Sequence, residues 1–160
     1  MIRIISDTST MYSTTQAQEA GFDVSALSVT IAGKSYREYD EITSNQFVEI
    51  IRQGHMPTSS QPAVGEVEAL YQRFAGEEII NIAMAAGLSG TYHSAVAAAQ
   101  LCDNAEDITV INTRTLCGPP PLHGGVGCCL GGSRFEQGRD RQEAQRTNGF
   151  CQELPGACGL

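Results

Sequence analysis

Basic side chains are scarce in this 160-residue chain: ten Lys and Arg stand against 18 Asp and Glu, a formal net charge of −8. A protein that neutralises phosphates along a nucleic acid needs the opposite balance, so nucleic acid is excluded as the main partner. Long apolar runs are also missing. The longest, Ile79 to Leu88, is interrupted by Asn81 and has about half the ~20 residues of a membrane-spanning helix. No stable membrane insertion is expected. A secretory leader is not legible either, because Asp7 arrives before an apolar core could form, and the cytoplasm is the expected compartment. Paired metal-ligand spacing is absent: Cys128, Cys129, Cys151 and Cys158 stand irregularly, and the lone His123 completes no set. No metal or cofactor is expected.

What is present divides at Cys117. Residues 118–160 hold 10 of the 17 Gly, 4 of the 6 Pro and 4 of the 6 Cys, and no Ile, Lys or Tyr, so they have little from which to build a core. Their Gly-Cys-Ser-Arg texture is what alanine codons give when read one base out of phase. Permitted codons for Pro120 to Arg141, shifted by one base, encode an alanine-rich amphipathic helix and a Gly-Leu-Ser turn. The shift point falls at Gly118-Pro119-Pro120, whose codons can form a run of cytosines. The expectation is an α/β domain over 1–117 followed by an irregular tail over 118–160, out of frame by one inserted base or, on the competing reading, a disordered Gly-rich segment.

Within 1–117, strand-like and helix-like segments alternate. Strands are expected at Ile2–Ser6, Val24–Ile31, Glu78–Met84 and Ile108–Asn112, and a turn at Ala32-Gly33-Lys34. Helices are expected at Thr14–Ala20, from the capping box Thr43-Ser44-Asn45-Gln46 to Gly54, along Val64, Val67, Leu70, Tyr71 and Phe74, and at Thr91–Leu101. This alternation predicts a mostly parallel sheet with helices on both faces, a three-layer α/β architecture. No internal repeat is visible.

Three polar clusters carry the candidate chemistry. Ser6-Asp7-Thr8-Ser9-Thr10 and Gly87-Leu88-Ser89-Gly90-Thr91-Tyr92 follow predicted strands, where open α/β sheets place their ligands. Thr58-Ser59-Ser60-Gln61-Pro62 falls in a predicted loop between two helices. Ser89 is placed to cap the next helix, whose N-terminus suits an anion. His93, one turn into that helix, is expected at solvent or a neighbouring loop rather than as a ligand.

Taken in order, SDTST, GKSYRE at 33–38, TSSQPAVGE at 58–66, LSGTYHSA at 88–95 and ITVINT at 108–113 resemble the DegV family of bacterial fatty-acid-binding proteins. The resemblance covers essentially all of 1–117. It implies an α/β N-terminal domain that normally continues into a second domain, missing here, and a long-chain fatty acid held by its carboxylate near their interface. It also implies presentation of the acyl chain to a fatty acid kinase for phospholipid synthesis. The family's carboxylate-binding hydroxyls fall on Ser59 and Ser89, with Thr58, Ser60, Gly90 and Thr91 around them and Asp7 and Thr8 as supporting residues. The family commonly has Thr where Ser59 stands, and Ser-Ser where Ala85 and Ala86 stand. On this reading the chain is a carrier, not an enzyme. The competing readings are an inert truncated fragment and a phosphotransfer enzyme using Asp7 as nucleophile with phosphate at Ser89; the latter lacks a second acid, since position 9 is Ser.

Overall fold

The computed structural model describes residues 1–116; the expectation of an irregular tail over 118–160 and its shifted-frame reading lie outside the described residues. The main sheet contains β1 (Ile2–Asp7), β2 (Asp23–Ser25), β6 (Glu78–Ala83) and β7 (Ile108–Asn112), all parallel, in the order β2-β1-β6-β7. A smaller antiparallel sheet, in the order β4-β3-β5, is formed by β3 (Ser28–Ile31), β4 (Lys34–Arg37) and β5 (Thr58–Ser60). Four helices, α1 (Thr14–Glu19), α2 (Ser44–Arg52), α3 (Val64–Gln72) and α4 (Thr91–Leu101), connect them.

Strand β1 is apolar on both faces because both are covered. Ile5 points to one face, where Val67, Leu70 and Tyr71 of α3, Ala95, Ala98 and Ala99 of α4, Ile79 and Ile108 form the largest core cluster. The buried face of α4 is a stripe of small residues, which lets the helix lie close to both sheet and α3. Ile4 points to the other face, against Ala17 of α1, Phe22 and Val24, with Tyr12 edge-on to Phe22 at 5.2 Å between ring centroids. The three-layer architecture expected from the alternation is therefore present.

Helix starts follow side-chain capping where the sequence supplies it. Thr43 and Gln46 form the expected capping box of α2, and Ser13 and Gln16 form another at α1. The turn between β3 and β4 places Ala32 and Gly33 in the left-handed region, φ 51° and 76°, the twist that a two-residue hairpin requires.

Two expectations are corrected. Val24–Ile31 is not one strand: β2 pairs with β1 through Val24, whereas β3 belongs to the small sheet. The break comes at Leu27, whose N–H donates to the Thr8 hydroxyl at 3.0 Å and whose carbonyl accepts the Glu38 N–H at 3.0 Å. The Thr58–Ser60 segment is not a loop but strand β5, with Ser59 opposite Val29 of β3. Its three exposed polar residues carry no periodic signal, and the open edge of β3 supplies the pairing.

Candidate functional site

The sheet order reverses between β1 and β6, because β2 lies on one side of β1 while β6 and β7 lie on the other. At such a switch point the loops leaving adjacent strands diverge and open a crevice beyond their C-terminal ends. The loops leaving β1 and β6 carry the first and third polar clusters.

Asp7 ties those two loops together. It is 1% exposed, and one carboxylate oxygen accepts the Ser9 N–H at 2.9 Å while the other accepts the Met84 N–H at 2.8 Å. Thr8, equally buried, donates its hydroxyl to Glu38 at 2.9 Å and accepts the Leu27 N–H, which attaches the small sheet to the end of β1. On the far side, the Asn112 carboxamide oxygen accepts the Ala86 N–H at 3.3 Å and the Arg114 N–H at 3.0 Å. The Thr113 hydroxyl donates to the Ala83 carbonyl at 3.0 Å. The loop from Met84 to Gly90 is thus held from both flanking strands. Asn112 and Thr113 end the ITVINT motif, where the sequence reading assigned them no role, although an Asn-Thr pair ending a strand is a local signal for side-chain-to-backbone bonding.

The second cluster reaches the third through Gln61. Its Nε2 donates to the hydroxyl of buried Ser94 at 2.9 Å, and its carboxamide lies over the Cα of Gly90, where an added Cβ would collide with it. The end of β5, where Gln61 follows Ser60, is thereby fixed against the start of α4. No hydroxyl of Thr58, Ser59 or Ser60 has a hydrogen-bond partner among the described residues, and all three residues are exposed.

At α4 the placement differs in detail from the expectation. Gly90, not Ser89, is the N-cap residue, and it offers no side-chain cap. Ser89 sits one position earlier. Its hydroxyl pairs with that of Thr91 at 2.8 Å and accepts the Thr91 N–H at 3.2 Å, while Thr91 is buried. The helical ladder begins with the Ser94 N–H on the Gly90 carbonyl at 2.8 Å, so the first-turn N–H groups of Tyr92 and His93 lack intrahelical acceptors. They carry the positive end of the helix dipole beside Ser89. His93 is exposed, edge-on to Tyr92.

The polar clusters thus gather uncharged donors and one buried carboxylate that is already satisfied, a set suited to orienting an anion by hydrogen bonds. No group of three or more potential metal ligands occurs among the described residues, and no described helix is long and apolar enough to cross a membrane. An open groove of about 600 Å³ lies elsewhere, between β4 and α2, lined by Lys34, Tyr36, Ile42, Glu49 and Ile50 among others. No residue of the three clusters lines it.

A parallel sheet with its polar loops at the switch point defines an open α/β domain, with those loops where such folds place their ligands. The profile of the DegV family, described as uncharacterised proteins, matches residues 1–122, and the chain belongs to that family. It is 36% identical over 115 residues to a DegV domain-containing protein of Staphylococcus aureus, a match covering 71% of this chain and 40% of that one. Among solved structures, DegV from Bacillus subtilis, described as a fatty acid binding protein, is 28% identical with a TM-score of 0.64 over 72% of this chain and 42% of that chain. A fatty-acid-binding DegV family protein from Thermus thermophilus is 25% identical with a TM-score of 0.70 over 92% of this chain and 53% of that one. The chain thus spans about 40% of the length of that curated relative and about half of these solved structures.

Proposed function

We propose that residues 1–116 form the head-group half of a long-chain fatty acid carrier, with the carboxylate held by the hydroxyls of Ser59 and Ser89 at the N-terminus of α4. The observation that carries this reading is the seating of the end of the Ser59 strand against α4 by Gln61, beside helix N–H groups without intrahelical acceptors at the sheet's switch point. The family relatives described as fatty acid binders support it. Thr58, Ser60, Gly90 and Thr91 surround the contact, and Asp7 and Thr8 support it. The role is binding without turnover in the cytoplasm, with no cofactor, and the partner is a fatty acid kinase that receives the acyl chain.

A hydrogen bond to a charged group contributes roughly 1.5–3 kcal/mol, so two hydroxyls orient the carboxylate without holding it tightly. Affinity comes from the acyl chain, at about 0.8 kcal/mol per buried methylene. Enclosing it is the task of the family's second domain.

The test is to purify the 160-residue chain, identify any bound lipid by native mass spectrometry, and titrate delipidated protein with stearate. Ser59→Ala and Ser89→Ala are each expected to weaken binding roughly ten- to hundredfold. Because enclosure of the acyl chain lies outside residues 1–116, uptake is expected to be weak, and amides of Ser59, Ser89 and Tyr92 left unmoved by millimolar octanoate, a soluble carboxylate, sink this reading. Magnesium-dependent hydrolysis of a phosphate ester, lost in Asp7→Asn, would replace it with phosphotransfer.

A further inference from the structure

We infer that Gln61 is a positioning residue whose carboxamide sets the spacing between the Ser59 strand and the N-terminus of α4, and that Gly90 is glycine to make room for it. This rests on the head-group reading above.

Gly90 has φ −73°, a value open to any L-residue, so backbone freedom does not call for glycine here. Space does. A Cβ at Gly90 would meet three atoms of the Gln61 carboxamide inside contact distance, whereas Cβ atoms built at Gly87 and Gly65 meet nothing. Glycine at position 90 therefore permits a close approach of the carboxamide to the backbone of α4.

The carboxamide is held there by its bond to Ser94, which is 2% exposed. Pro62 follows at once and is itself buried, so the backbone on the C-terminal side of Gln61 has a fixed φ and a packed ring. On the N-terminal side, Ser59 and Ser60 are locked in register against Val29 and Ser28. One side chain thus spans from the end of β5, in the small sheet, to the first turn of α4, which packs on the main sheet.

The consequence is specific. Gln61 needs no contact with the ligand to matter, because losing it frees Ser59 to move relative to Ser89. Gln61→Ala should raise the dissociation constant for both myristate and stearate by the same factor, about two- to tenfold, with binding stoichiometry unchanged. Gly90→Ala should do the same by displacing the carboxamide. Ser94→Ala added to Gln61→Ala should weaken binding no further, because both remove one bond. Gln61→Asn, one methylene too short to reach, should not rescue.

The ligand-free 160-residue protein gives an independent readout. In its ¹H–¹⁵N spectrum Gly90→Ala should shift the amides of Ser59 and Ser60, far away in sequence, while leaving those of α1 in place. Unmoved Ser59 and Ser60 amides overturn the inference, as does wild-type affinity in Gln61→Ala. If octanoate leaves the wild-type amides of Ser59, Ser89 and Tyr92 unmoved, the head-group reading falls, and the amide shifts in Gly90→Ala still decide whether Gln61 positions β5.

Discussion

Replacing Asp7 by Ala removes the acceptor of two backbone N–H groups, those of Ser9 at 2.9 Å and Met84 at 2.8 Å. Hydrogen bonds to an ionised group contribute about 1.5–3 kcal/mol each, and both donors are left in a region where Asp7 is 1% exposed. The expected loss is about 3–5 kcal/mol, a large part of the roughly 5–15 kcal/mol available to a domain. Asp7→Asn is expected to cost about half as much, because the amide oxygen keeps one N–H while its NH₂ group faces the other donor. Urea unfolding followed by circular dichroism measures this. With a slope of about 1–3 kcal/mol per molar, the midpoint for Asp7→Ala should fall by at least about 1 M. Hydrogen exchange at the Met84 amide should accelerate more than at core amides such as that of Ile79. A midpoint change under about 0.3 M, with Met84 exchange unaltered, would refute the view that Asp7 holds the two loops together. The same variant bears on the phosphotransfer reading, since an aspartate nucleophile can be lost without loss of stability.

Tyr71 is fully buried, with its hydroxyl accepting from Asn81 at 2.7 Å, and burial raises its ionisation well above the ordinary tyrosine value of 10.0. The neutral form is the folded one, so stability is complete below about pH 10 and falls above it by about 1.4 kcal/mol per pH unit as the unfolded chain ionises; Tyr71→Phe should remove that alkaline slope in urea midpoints while costing about 1–3 kcal/mol at neutral pH by orphaning the Asn81 amide. Independent sequencing across the codons for Cys117 to Leu122 should show one cytosine fewer, and an unchanged count overturns the shifted-frame reading of 118–160.

Local signals placed the helices and most strands. The small-residue stripe of α4 and the capping boxes of α1 and α2 are written within a few residues of where they act, and β7 is an apolar run bounded by polar residues. What escaped was decided between distant segments. Val24–Ile31 reads as one strand because nothing within it announces that Leu27 will be bound by Thr8 and Glu38. Thr58-Ser59-Ser60 becomes a strand only because Val29 leaves an edge for it.

The site shows the same division at the level of single hydroxyls. Ser and Thr in the three clusters are chemically alike, yet the fold assigns them different work. Thr8 is spent on the small sheet and Thr91 on Ser89, whereas Thr58, Ser59 and Ser60 have no partner among the described residues. A hydroxyl that is already committed costs about as much to redirect as a new bond returns, so only the uncommitted ones can bind a ligand at a net gain. Ser89 is intermediate, because its oxygen accepts from Thr91 and has capacity left. The resemblance pairs Ser59 with Ser89, and the fold makes them unequal: among the described residues Ser59 has no partner, while Ser89 must share. On the head-group reading, Ser59→Ala should therefore cost the carboxylate more than Ser89→Ala does.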